Sequence, residues 1–219
     1  MEKQEVLRRV AEVGVVPVVR ASSAEEAMLV IEAIKAGGVN VLEITMTVPR
    51  AVKVIEQVAD RYGDEVVLGA GTVLDAETAR ACILAGATFV VSPALNTGTI
   101  ELCRRYSVAV LPGALTPTEV VTAWAAGADV VKVFPCGALG GAKYLKSLKA
   151  PLPQVEMIPT GGVSLKTAAE FIEAGALALG VGADLVDTKA IRAGQPEKVT
   201  EAARAYVAAV RDARAGLKT

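Results

Sequence analysis

The sequence predicts an α/β protein: a (β/α)8 TIM barrel with one extra helix at its N-terminus. Three observations predict it. Short runs rich in Val, Ile and Leu alternate with amphipathic stretches from end to end. One phrase, Ala-Gly-Ala, closes several amphipathic stretches and leads at once into the next apolar run, at 85–87, 126–128 and 174–176. A Gly just past a helix, followed directly by a strand, is a repeated αβ turn. Hydrophobic residues make up 53% of the chain but aromatics only 4%, so the core is Val, Ala, Leu and Ile, as buried parallel strands require. Strict alternation with short turns gives a parallel sheet, and eight units close it into a barrel. An open doubly wound sheet is the runner-up. No linker or low-complexity segment interrupts the pattern, so residues 1–219 read as a single domain.

The elements follow in order. Residues 2–13 form the lead helix. The first strand is 15–20, and Ser22-Ser23-Ala24-Glu25 supplies a cap and an acidic first turn for a helix to Lys35. Further strands are expected at 41–46, 66–72, 89–93, 108–115, 128–135, 155–159 and 177–182. Helices are expected at 49–62, 75–85, 97–106, 117–126, 141–148, 164–174 and 196–214. Pro117 opens one of them, where its missing N–H costs nothing.

Composition excludes several function classes. The net charge is −1 and no basic block is interleaved with aromatics, so nucleic acid is not a partner. Charges, Gly or Pro interrupt every apolar run below membrane-spanning length. Residues 1–9 are polar and charged, unlike a signal peptide, and the three cysteines, Cys82, Cys103 and Cys136, are scattered. Both features fit a reducing cytoplasm, with neither a disulfide frame nor a zinc site. There is no histidine. Ser-His-Asp and Cys-His catalysis and His-based metal sites are therefore out, and proton transfer falls to Glu, Asp, Lys, Tyr or water.

The chemistry centres on Ala128-Asp129-Val130-Val131-Lys132-Val133-Phe134-Pro135. It places one ammonium inside an apolar strand, which is costly unless something useful comes of it. Desolvation disfavours a charged amine, and a neutral amine in an apolar pocket attacks a ketone to form a Schiff base. The plainer account is a lysine that snorkels from a strand end to solvent. Glu43 in Val-Leu-Glu-Ile-Thr is equally awkward. The second and sixth strands stand opposite each other in an eight-membered ring, so Glu43 and Lys132 can face one another across one cavity. A structural buried ion pair is the competing account, and such pairs stabilise little.

Polar residues end the other strands: Arg20, Thr45 with Thr47, Thr72, Ser92-Pro93 and Thr160-Gly161-Gly162. The Gly pair 161–162 and the loop Gly180-Val181-Gly182-Ala183 follow the last two strands, a frequent phosphate site in this fold. Gly69-Ala70-Gly71-Thr72 lacks the third glycine of a dinucleotide fingerprint, and its glycines read as room for a ligand beside Thr72.

Taken together, the segments VVPVVR, GGVNVLEITMTVP, GAGTVLD, FVVSPALN, LPGALTPTE, VVKVFPCGALGG, PTGGV and GVGADLV resemble the bacterial 2-keto-3-deoxy-6-phosphogluconate aldolases, including the group that also cleaves 4-hydroxy-2-oxoglutarate. The resemblance implies a homotrimer of barrels and a class I aldolase needing no metal or other cofactor. It puts the Schiff-base lysine at Lys132, the acid–base glutamate at Glu43 and the pyruvate-contacting threonine at Thr72. Pro93 and Phe134 match residues lining the pyruvate pocket, and Gly161, Gly162 and Gly182 match the phosphate loops. Two positions depart from the pattern. Where many members carry a carboxylate-binding arginine this chain has Thr47, and Arg20 is expected to supply the cation instead, unless it only pairs with a helix carboxylate. Where some members have a serine in the last loop, this chain has Ala183, which offers a backbone N–H but no hydroxyl. The galactonate epimer as substrate, and a barrel that only binds a phosphorylated ligand, are the alternatives.

Overall fold

A computed structural model describes residues 1–217. Strands β1 (Val15–Val19), β2 (Val41–Thr45), β3 (Val67–Gly71), β4 (Phe89–Val91) and β5 (Ala109–Leu111) pair in parallel in chain order. Next come β6 (Gly113–Ala114), β7 (Val131–Val133) and β8 (Met157–Pro159), also parallel, and then β9 (Leu179–Val181), which pairs with β1. Pro112 interrupts the fifth barrel strand, since it has no N–H for the ladder, and splits it into β5 and β6. The ring closes through the parallel bridge between Thr160 and Gly180. The eight expected barrel positions are therefore all filled, and the predicted barrel with its lead helix is what forms.

The helices are α1 (Lys3–Val13), α2 (Ala24–Ala36), α3 (Ala51–Tyr62), α4 (Ala76–Leu84), α5 (Thr97–Arg105), α6 (Pro117–Ala125), α7 (Ala142–Lys149), α8 (Ala168–Glu173), α9 (Thr188–Arg192) and α10 (Glu197–Gly216). Side-chain caps start five of them: Ser23 accepts from Glu26 N, Asp75 from Thr78 N, Asn96 from Thr99 N, Asp187 from Lys189 N and Ala190 N, and Thr116 from Glu119 N in a capping box with Pro117 at its first position. The repeated Ala-Gly-Ala phrase is a Schellman turn. After α4, α6 and α8 a glycine at positive φ turns the chain, and the next residue's N–H reaches back to Cys82, Ala123 and Phe171 carbonyls.

Alternation sorts each strand into two faces. Val16, Val41, Val67, Phe89, Val91, Ala109, Leu111, Val130 and Ile158 fill the barrel interior, and α1 closes its N-terminal end with Val6 and Val10. The opposite strand faces pack against the helical layer. Lys3 of α1 is tied to Asp129 at 2.8 Å. With the N-terminal end plugged, ligands have access from the C-terminal end.

Two expectations are corrected. The helix expected over 164–174 is regular only from Ala168. Thr167 Oγ1 accepts from Ser164 N at 3.0 Å, a local turn that competes with helix. The short helix α9 was not expected, because its 5 residues are too few to show a helical period.

Candidate active site

Lys132 on β7 and Glu43 on β2 come from opposite positions of the ring and meet in the interior. They are 6% and 3% exposed, with Lys132 Nζ 3.6 Å from Glu43 Oε1. That spacing is beyond a hydrogen bond, and among the described residues Glu43 Oε1 is a buried acceptor without a donor. Leaving such an atom unsatisfied is costly, so it asks for an explanation beyond packing. Lys132 Nζ also lies 5.5 Å from the Phe134 ring, two residues along on the same face.

The room for the glutamate is built into β3. A Cβ at residue 71 would fall on the Glu43 carboxyl group, and one at residue 69 on the Phe89 ring. The glycines of the 69–72 segment therefore accommodate the protein's own side chains. The expectation that they leave room for a ligand is corrected.

Beside this pair lies a cavity of about 450 Å³, walled by Val18, Arg20, Phe134, Thr160, the Gly161–Gly162 turn and the 182–184 loop. It gathers Arg20, Phe134, Gly161, Gly162, Gly182 and Ala183 from four strand ends. Gly161 and Gly162 adopt φ of 82° and 79°, and a Cβ at 162 would press on Gly137 Cα. These are positions for glycine. Among the described residues, the N–H groups of Gly162, Val163, Ala183 and Asp184 make no hydrogen bond within the chain. Their four residues all line the cavity, and unpaired backbone amides are what an anion is bound by at such loops. Arg20 is exposed, and among the described residues its guanidinium has neither an ion pair nor a hydrogen bond. The expectation that it might only pair with a helix carboxylate is not met.

Thr47, Thr72 and Pro93 stand at the ends of β2, β3 and β4, outside the walls of this cavity. Thr45 donates to Val19 O at 3.0 Å, so the 2.6 Å contact between Thr45 and Thr47 hydroxyls uses the Thr47 proton. Thr47 therefore keeps acceptor capacity only. Thr72 has φ 58°, a left-handed conformation that a β-branched residue adopts at a cost of about 1–3 kcal/mol. Strain of this kind is found where a side chain must be aimed. Pro93 is fixed by its neighbour Ser92, whose hydroxyl donates to Ala94 O and accepts from Gly113 N.

The cavity also has walls that sequence reasoning passed over. Asp184 Oδ2 accepts from Leu165 N at 3.2 Å and from Tyr206 OH at 2.5 Å. Tyr206 is fully buried, and burial first, then its bond to this carboxylate, pushes its hydroxyl pKa well up. The pair anchors the 182–184 loop to α10. Thr188 lines the far wall from α9, an element without a sequence signal.

Residues 6–202 match the KDPG and KHG aldolase family. The chain belongs to that family. Its relatives include the 2-dehydro-3-deoxy-6-phosphogalactonate aldolase of Escherichia coli K12, 36% identical over 90% of this chain and 95% of that one. The 2-dehydro-3-deoxy-phosphogluconate aldolase of Treponema pallidum is 36% identical over 86% of this chain and 89% of that one. Among solved structures, the Legionella pneumophila KDPG aldolase with pyruvate captured as a covalent carbinolamine intermediate superposes with a TM-score of 0.85. It is 30% identical over 92% of this chain and 97% of that one. Aldolases are carbon–carbon lyases, which sets the reaction class of this family member. Among the described residues, no helix is long and apolar enough to cross a membrane.

Proposed function

We propose that this family member is a class I aldolase that cleaves 2-keto-3-deoxy-6-phosphogluconate to pyruvate and glyceraldehyde 3-phosphate, and also 4-hydroxy-2-oxoglutarate to pyruvate and glyoxylate. The single observation that carries this reading is the buried amine of Lys132 held 3.6 Å from a carboxylate oxygen that has no donor of its own. A ligand-binding barrel without chemistry has no use for that pair.

The deprotonated amine of Lys132 attacks the C2 ketone, and the carbinolamine loses water to give an iminium, the electron sink of the reaction. Glu43, directly or through a water, takes the C4 hydroxyl proton as the C3–C4 bond breaks. The aldehyde leaves, and the bond's electron pair rests in the enamine. Protonation at C3 from the Glu43 side and hydrolysis of the iminium release pyruvate and restore the amine. Thr72, Pro93 and Phe134 border the pyruvyl group. The 161–163 and 182–184 amides hold the phosphate, with Ala183 contributing its N–H. Arg20 holds the carboxylate in place of the arginine that Thr47 lacks.

Arg20 shares its cavity with the phosphate loops, and its test distinguishes the two anions. In Arg20→Ala, the KM for deuterium exchange into pyruvate is expected to rise about tenfold, the worth of a charge-assisted hydrogen bond. A rise confined to phosphorylated substrates would move Arg20 to the phosphate end, and no rise with either would remove it from the site.

The galactonate epimer is a second reading, favoured by the 36% identity to a relative of that name. Coupled assays with the two C4 epimers test the choice. The gluconate derivative is expected to show the higher kcat/KM; a reversed order would reassign the substrate, and inactivity with both and with hydroxy-oxoglutarate would overturn the proposed reaction. We propose further that residues 1–219 act as one barrel domain in the cytoplasm and assemble as a homotrimer. Exposed Leu84, Tyr106, Val121 and Trp124 on or beside α4 to α6 support the assembly. Light scattering giving the mass of a single chain would remove it.

A further inference from the structure

Arg20 lines the cavity without an ion pair among the described residues, while a buried carboxylate in the first turn of α2, Glu26, is held by another arginine, Arg192. Ser22, two residues after Arg20, donates its N–H to Glu26 Oε2 at 2.5 Å and its hydroxyl at 2.8 Å. The other oxygen, Glu26 Oε1, accepts from Arg192 Nε at 2.5 Å, and Arg192 Nη2 makes a longer contact of 3.4 Å to Oε2. Glu26 is 7% exposed. Arg192 lies on α9, the helix whose first residue, Thr188, lines the same cavity as Arg20. The pair thus ties the β1–α2 turn to the segment after the phosphate loop, across 166 residues of chain. Burial works to raise the Glu26 pKa, but the bonds from Arg192 and Ser22 outweigh it and hold the carboxyl below its ordinary range.

We infer that Glu26 and Arg192 are positioning residues for the substrate anion: they fix the turn that presents Arg20, and by saturating Glu26 they keep the Arg20 guanidinium from being captured by it. This rests on the reading of Arg20 as the substrate's cation. A buried carboxylate stripped of its partner recruits another cation when one is near, and Arg20 is carried on the turn that Glu26 already holds. Removing Arg192 therefore does more than loosen a loop. It turns Glu26 into a competitor of the substrate.

The test is a double-mutant cycle read by the KM for 2-keto-3-deoxy-6-phosphogluconate cleavage, with circular dichroism as the folding check. Arg192→Ala is expected to raise KM about five- to tenfold with kcat within about twofold, and Arg192→Lys to recover most of the loss. Adding Glu26→Gln to Arg192→Ala is expected to bring KM back toward wild type, because the amide still accepts from Ser22 but no longer attracts Arg20. A purely structural pair predicts the reverse, a double variant no better than the single one, and that outcome overturns the inference, as does an unchanged KM in Arg192→Ala. Arg20→Ala is measured alongside. If it leaves KM unchanged, the reading of Arg20 has failed; if it raises KM while the Arg192 variants do not, the positioning inference alone has failed.

Discussion

Lys132→Ala is expected to abolish turnover, a loss of at least about 10⁴-fold, because among the described residues no other amine pairs with Glu43 to form the iminium. Wild-type protein treated with pyruvate and borohydride is expected to carry a pyruvate-derived mass on the peptide containing Lys132, and the variant to carry none. Removing the lysine also leaves Glu43 buried without a cation, a destabilisation of about 3–5 kcal/mol for pairs of this kind. Lys132→Arg meets that difficulty: it keeps the charge but offers no nucleophile, so it is expected to be folded and equally inactive. Substantial cleavage by a folded Lys132→Arg protein, or an adduct on a different lysine, would refute the Schiff-base assignment.

Glu43→Gln separates proton transfer from imine formation. The amide fits the space that Gly71 leaves open beside β3, so the fold is expected to hold. Deuterium exchange at the pyruvate methyl group is expected to slow by about 10²- to 10⁴-fold, the usual share of a general acid–base residue. Borohydride trapping on Lys132 is expected to persist, since attack on the ketone needs only the amine. Exchange at the wild-type rate would take Glu43 out of the proton path. Loss of trapping together with exchange would mean that the carboxylate serves mainly to place the lysine.

The two variants probe the same 3.6 Å contact from its two ends. A structural ion pair predicts that both lose stability and that neither changes the type of chemistry observed. The proposed mechanism predicts different failures: no adduct in one, an adduct without exchange in the other.

Much of this molecule was legible before any coordinates. Short continuous apolar runs and the Ala-Gly-Ala turns depend on local sterics and on burial of both strand faces, so they appear in the sequence itself. That is why the barrel, its lead helix and the placement of Lys132 and Glu43 on opposing strands were readable. The charges were conspicuous for the same reason, since an ionic residue inside a buried strand breaks the pattern. The glycine loops after β8 and β9 were readable from their position as much as from their composition.

What stayed hidden depends on residues far apart in the chain. The space at Gly69 and Gly71 looked like room for a ligand, and only the register of β2, β3 and β4 shows that Phe89 and Glu43 fill it. The Thr45–Thr47 hydroxyl chain is settled by the Val19 carbonyl on the neighbouring strand. The state of Arg20 could not be read locally, because the partner of Glu26, six residues further on, is Arg192, on a helix too short to announce itself. Sequence alone determined the fold class, the family and the two charged residues that meet in the barrel interior, because local periodicity and residue chemistry carry that information. Tertiary structure decided which side chains occupy the glycine gaps, which hydroxyl spends its proton and which arginine is left free, because each is a competition among groups that only folding brings together.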